Sequence, residues 1–130
     1  MFRLVKVLNN NTQADVHLVP INEDAIYGKG EAIVTSDGKA ATPSSTAFPE
    51  YIVLSKNRIS QPYKIDAMIV TENSVFKVEY TGSLSPYLGM PVGLSRKIAG
   101  MDAVTYNVNG KGNVIGIDDD KRFVYVRFRK

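Results

Sequence analysis

The sequence of 130 residues contains no cysteine, no tryptophan and a single histidine, His17. Without cysteine there are no disulfides, thiolate zinc sites or thiol nucleophiles. A catalytic histidine needs an orienting partner, which Asp15 could supply from two residues earlier on the same strand face. We interpret His17 as a surface strand residue, because no nucleophile motif such as G-x-S-x-G accompanies it. The sequence therefore predicts a protein that is not an enzyme and has no catalytic residue, cofactor or metal.

Long apolar runs are also absent. Residues 1–8 alternate polar and apolar side chains, whereas a signal peptide needs an apolar run of about 7–15 residues. The longest apolar runs, such as residues 67–70, are far shorter than the about 20 residues that cross a bilayer. We expect a protein that folds in the cytoplasm and has no membrane partner.

The composition is that of one globular domain, which we expect to include residues 1–130. Hydrophobic residues make up 44% and charged residues 22% of the chain, which are ordinary values for a protein with a buried core. The formal net charge of +3 is too small to indicate a nucleic-acid partner without a local concentration of basic residues.

Short apolar runs separated by turn residues dominate the chain, and apolar residues nowhere keep a helical period over three turns. Asp37-Gly38 between residues 31–35 and 39–42 predicts a hairpin, and residues 63–71 and 74–80 predict a second one. Residues 50–55 form a nearly continuous apolar run that predicts a strand buried on both faces. The remaining predicted strands are residues 2–8, 16–19, 91–98, 103–108, 113–117 and 121–128. We predict a mostly β fold, a small β-barrel or β-sandwich of short antiparallel strands with long loops.

Two longer segments are predicted to be loops. Residues 43–49 contain two prolines and no apolar period, so we expect them to be exposed. Residues 81–90 are rich in glycine, serine and proline. Residues 21–29 fit either irregular backbone or a single helical turn capped by Asn22.

Three consecutive aspartates, Asp118 to Asp120, join the last two predicted strands. Calcium loops place their carboxylates at alternate positions and include a glycine for the bend. Consecutive aspartates point away from one another, so we interpret this segment as a solvated hairpin turn.

The last predicted strand has basic and aromatic residues on one side and apolar residues on the other. Such a face suits docking onto an acidic protein surface or binding of single-stranded nucleic acid, and an ordinary solvated strand has the same composition. The candidate docking face consists of Arg122, Phe123, Tyr125, Arg127 and Arg129.

Several segments follow one another in a recognisable order: KGEAIV at 29–34 with DGKA at 37–40, FPEYIVL at 48–54, VFKVEY at 75–80, LGMPVGL at 88–94, and VIGI at 114–117 before VYVRF at 124–128. This order resembles the small β-rich decoration (cement) proteins of tailed phages. The resemblance implies a structural protein on the capsid surface of the virion, bound to the major capsid protein and arranged as a homotrimer. The alternative is a small β-barrel module that binds nucleic acid through the basic C-terminal strand.

Overall fold

The structure is a computed structural model that describes residues 1–8, 15–55, 63–98 and 100–130. In these ranges the chain forms eleven short strands and no helix, which confirms the predicted mostly β fold. The strands, in chain order, are β1 (Arg3–Val7), β2 (Val16–Pro20), β3 (Ala32–Ser36), β4 (Lys39–Ala41), β5 (Tyr51–Val53), β6 (Lys64–Ile69), β7 (Ser74–Thr81), β8 (Pro91–Ser95), β9 (Ala103–Tyr106), β10 (Gly112–Ile117) and β11 (Phe123–Phe128).

Five strands close into a barrel in the order β7-β11-β10-β8-β9. Neighbouring strands are antiparallel except where the barrel closes, because residues 79–81 of β7 pair in parallel with residues 103–105 of β9. β1 pairs with the first half of β7, opposite residues 74–77. The eight residues of β7 are thus long enough to pair with β1 and β9 in succession on one side and with β11 on the other.

The other sheet, in the order β2-β6-β5-β3-β4, packs against this barrel. Successive residues of its central strands belong to different cores: Ile52 and Met68 pack with the barrel interior, whereas Val53 and Ala67 pack in a second cluster. Both faces of β5 are therefore buried, as the apolar run at residues 50–55 predicts. The edge strands β2 and β4 also approach each other, so this sheet is strongly curled.

Aromatic rings fill the part of the barrel core nearest the second sheet. The Phe2 ring lies 5.9 Å from those of Phe76 and Phe128, and Phe48 meets Phe128 edge-on at 6.5 Å. Phe76 and Phe128 are completely buried. Such edge-to-face and tilted pairs are favourable arrangements of aromatic rings.

The predicted hairpin at Asp37-Gly38 is present between β3 and β4. Asp37 and Gly38 both have positive φ, 53° and 78°. A two-residue turn with both central residues left-handed matches the twist of the flanking strands. The dipeptide thus determines both the position and the register of this hairpin.

The prediction of a second hairpin, between residues 63–71 and 74–80, is wrong in its pairing. Both strands exist, but β6 pairs with β2 and β5 in one sheet, whereas β7 pairs with β1, β9 and β11 in the other. The corner between them is held locally, since Thr71 and Ser74 exchange backbone and side-chain hydrogen bonds. These bonds stabilise a turn that passes from sheet to sheet.

The loop at residues 43–49 has no regular structure, as predicted, but only Ser44 and Ser45 are exposed, so the expectation of an exposed loop is only partly correct. Pro43 and Pro49 are buried, and the Ser45 carbonyl accepts a hydrogen bond of 2.9 Å from the Leu94 amide. The loop lies so close to β8 that a Cβ on Gly93 would be 2.4 Å from that carbonyl oxygen. This part of the loop therefore lies against β8.

The other irregular segments agree with their sequences. Residues 82–85 and 87–89 are exposed, as expected for the glycine-rich and serine-rich loop. Residues 21–29 form turns and no helix, with one turn closed by the Ala25 amide and the Asn22 carbonyl at 3.0 Å.

Two buried carboxylates lie where the second sheet meets the barrel. Glu31 and Asp102 are only 6% and 7% exposed, and Ala32 forms a β-bridge with Met101 between them. One Glu31 oxygen accepts a hydrogen bond from the Gly28 amide, and the Asp102 carboxylate accepts one of 2.6 Å from the Lys97 amide. Burial raises the pKa of Glu31 above its ordinary value, and the nearby Asp102 charge raises it further.

The raised pKa of Glu31 predicts a pH-dependent contribution to stability. When folding raises the pKa of an acid, the contribution of that acid to stability is fully present below its pKa in the unfolded chain, which is about 4.3 for glutamate. The contribution is lost as the pH rises through the folded value. We therefore expect the free energy of unfolding of the wild type to fall, relative to that of Glu31→Gln, as the pH is raised from about 4 toward neutrality. A buried carboxyl with a raised pKa titrates in this pH range.

Urea denaturation at a series of pH values measures this difference, and Asp119→Asn, at an exposed position, reports the effect of removing an unburied charge. A wild-type free energy of unfolding that stays constant or rises with pH, relative to that of Glu31→Gln, would contradict the expectation.

Candidate docking face

The alternation predicted for the last strand is present in β11. Val124, Val126 and Phe128 are completely buried in the barrel. Phe123, Tyr125 and Arg127 are each partly exposed on its outer side. These three outward residues and their cross-strand neighbours are called the β11 face below.

The other two residues of the predicted docking face lie outside the strand. Arg129 follows β11 and is exposed. Arg122 precedes it in the turn, where its Nε and Nη2 atoms donate to Asp120 at 3.1 and 2.9 Å. These hydrogen bonds from Arg122 lower the pKa of Asp120. Arg122 also lines a cavity of about 410 Å³ beside Tyr80.

Cross-strand pairing adds basic residues to the β11 face that the sequence did not indicate. Arg3 of β1 pairs with Lys77 of β7, which pairs with Tyr125. In the next row, Lys6 of β1 pairs with Val75 of β7, which pairs with Arg127 of β11. Residues opposite each other in paired strands lie on the same face of the sheet. Four cations from three strands therefore share this side of the barrel.

Lys77 contacts both an aromatic ring and a carboxylate at the centre of the face. Its ammonium lies 5.3 Å from the centroid of the Phe123 ring and 3.7 Å from Asp118 Oδ2. A cation over an aromatic ring is attracted by the negative face of the ring. Asp118 also accepts a hydrogen bond of 3.4 Å from the Tyr125 hydroxyl. The aspartate turn is thus tied to the face through Asp118.

The aromatic rings of the face are already in contact with other groups. One side of the Phe123 ring is covered by Lys77. The Tyr125 ring lies against Gly116 on the neighbouring strand, where an added Cβ would be 3.1 Å from Tyr125 Cδ2. These contacts fix the ring orientations and reduce the ring area that is free to stack on another molecule.

Arg127 is held by the corner between β6 and β7. Its Nε donates to the Glu72 carbonyl, and its Nη2 lies 3.3 Å from Asn73 Oδ1. Val75, beside it on the outer side of β7, is only 2% exposed. Arg127 therefore has a structural role in addition to its contribution to the charge of the face.

Arg3 and Lys6 remain exposed on β1, and within the described part of the chain neither makes an ion pair. They are available to carboxylates or phosphates of another molecule. The face offers cations in fixed positions and aromatic edges, which suits electrostatic docking.

His17 is exposed on β2, as expected. Its Nδ1 lies 3.3 Å from the hydroxyl of Tyr51. Tyr51 is on β5, which is separated from β2 by β6 in the same sheet. Among the residues described, no group of three or more histidine, cysteine, aspartate or glutamate side chains could hold a metal ion. Nor do those residues include a helix of sufficient length and hydrophobicity to cross a membrane.

Comparison of this chain with models of known protein families, with curated proteins and with solved structures finds no match.

Proposed function

We propose that this chain is a structural protein that attaches to the outside of a phage head and stabilises it by protein–protein contact. The order of segments that resembles phage decoration proteins supports the location. The β11 face supports the mode of attachment, with the major capsid protein as the partner.

The observation that carries the proposal is the pair of basic rows on the β11 face. Arg3, Lys77 and Tyr125 form one row, and Lys6 and Arg127 belong to the next. Lys77 and Arg127 are held by contacts within the protein, so little side-chain freedom is lost when a partner binds. Positive rows with fixed geometry are complementary to an acidic protein surface.

Nucleic-acid binding through the same face is the alternative. Single-stranded nucleic acid is bound by rings that stack on bases and by cations that contact phosphates. The cations of the face suit that mode, but Lys77 already occupies one side of the Phe123 ring and the Tyr125 ring lies against Gly116, which leaves less ring area for stacking. The geometry therefore favours a protein partner.

The test is attachment of the double variant Arg3→Glu/Lys6→Glu to undecorated heads of the phage that encodes the chain. Both side chains are exposed, so the fold should be retained. We expect binding to weaken by about 10-fold or more, because residues that matter in an interface contribute more than about 1 kcal/mol each. Co-sedimentation at several salt concentrations measures the loss.

The matched control is Lys39→Glu/Lys64→Glu, which makes the same change in net charge at exposed positions of the second sheet. It should bind heads like the wild type. Unchanged binding of Arg3→Glu/Lys6→Glu would contradict the proposal and leave these cations only the role of protecting the edge of β1 from pairing. Salt-sensitive binding of a single-stranded oligonucleotide, without binding to heads, would instead support the alternative.

A further inference from the structure

Two isoleucines stand almost fully in solvent on neighbouring loops. Ile26 is 88% exposed and Ile98 is 84% exposed, more than any other large hydrophobic residue described. Both line one hollow of about 290 Å³, together with Lys29 and the buried carboxylates Glu31 and Asp102. Two such apolar side chains beside one hollow form a surface that is costly to leave in water.

The loops that carry these isoleucines are held in place. Asp102 accepts hydrogen bonds from the backbone amides of Lys97 and Ile98, at 2.6 and 3.1 Å. Glu31 accepts one from the Gly28 amide, and a Cβ at Gly100 would be 1.5 Å from its other oxygen. The buried carboxylates thus fix both loops. Contacts presented on fixed loops lose little freedom on binding.

The charges beside the two isoleucines are opposite. Exposed Asp24 precedes Ile26 by two residues, and exposed Arg96 precedes Ile98 by two residues. Residues 24–26 are called the acidic prong and residues 96–98 the basic prong. Each of the two isoleucines therefore follows a charged residue by two positions in the sequence, a negative one for Ile26 and a positive one for Ile98.

We propose that this surface binds a second copy of the chain about a two-fold axis. A half-turn places the acidic prong of each copy against the basic prong of the other, so Ile26 meets Ile98 twice and Asp24 meets Arg96 twice. An interface of this kind uses the same patch on both copies. Because both prongs belong to one patch, two copies satisfy all of these contacts and the assembly is complete as a dimer. A ring of three copies would need two separate patches.

The two-fold pairing can be tested by reversing one prong at a time. Asp24→Arg makes both prongs basic, and Arg96→Asp makes both acidic. Each variant alone should have the mass of one chain, whereas the wild type and an equimolar mixture of the two variants should have the mass of two. Sedimentation equilibrium at micromolar concentrations measures the masses, and thermal unfolding shows that each variant is folded.

Asp119→Arg and Lys39→Asp are matched controls, because they reverse exposed charges elsewhere and should leave the wild-type mass unchanged. Ile26→Ser and Ile98→Ser test the apolar contact without a charge change, and each should shift the wild type toward single chains. If Arg96→Asp fails to fold, Ile98→Ser provides the test of the basic prong.

A wild type that remains a single chain, or that assembles as three copies, would overturn the two-fold pairing. So would a mixture of folded charge variants that stays monomeric. Arg3→Glu/Lys6→Glu should leave the mass at two chains, so loss of attachment to heads and loss of pairing can be distinguished.

Discussion

Replacing Phe128 with alanine should lower the free energy of unfolding by about 3–5 kcal/mol, the range for large aromatic residues truncated in a core. Phe128 is completely buried at the end of β11. Its ring lies 5.9 Å from Phe2 and 6.5 Å from Phe48, so the truncation leaves a cavity where β1, β11 and the loop at residues 43–49 meet. Urea denaturation measures the change.

The control is Arg129→Ala, one residue further along the chain. Arg129 is exposed, and its backbone amide keeps the hydrogen bond to the Lys111 carbonyl in the variant. Exposed substitutions usually change stability by less than about 0.5 kcal/mol. A larger loss for Arg129→Ala than for Phe128→Ala would mean that the inward and outward sides of β11 are reversed.

Features set by neighbouring residues could be predicted from the sequence. The alternation in β11 places Val124 and Val126 inside the barrel because successive side chains of a strand point to opposite faces. The Asp37-Gly38 turn followed from the left-handed backbone that both residues adopt readily. The continuous apolar run around Ile52 and Val53 indicated burial on two sides, which the structure explains by a core on each face of β5.

Features set by distant residues could not be predicted. The strands on either side of Glu72 and Asn73 have the same pattern in a hairpin and in a corner between sheets, so the sequence does not distinguish the two. Pro43 and Pro49 are buried in a loop whose Ser45 carbonyl accepts a hydrogen bond from the Leu94 amide. No local feature of the loop indicates that contact.

The same limit applies to the candidate docking face. The alternation places Phe123, Tyr125 and Arg127 together, as predicted. The cations Arg3 and Lys77 join them only because β1 and β7 pair beside β11, and strand order is not visible in the spacing of residues.

Replacing Gly110 with alanine should have the other large effect on stability. An added Cβ would lie 2.1 Å from the Val92 carbonyl oxygen and 2.5 Å from the Gly93 nitrogen, both backbone atoms of β8. Backbone atoms in a paired strand cannot move aside as a flexible side chain can. Relief of the contact would therefore separate the turn from β8 and weaken the hydrogen bond between the Asn107 amide and the Pro91 carbonyl, 3.1 Å in the wild type.

We expect Gly110→Ala to lower the free energy of unfolding by about 3 kcal/mol, the upper end of the usual cost of overpacking. Gly28→Ala is the matched control, since its added Cβ would meet only Glu31 Oε2 at an ordinary 3.4 Å. A Gly-to-Ala change without strain alters stability by no more than about 1 kcal/mol, through the entropy of the unfolded chain. Equal unfolding midpoints in urea for the two variants would show that the turn at residues 107–110 does not lie against β8. In that case the packing of this turn against β8 would be looser than the short contacts of Gly110 indicate.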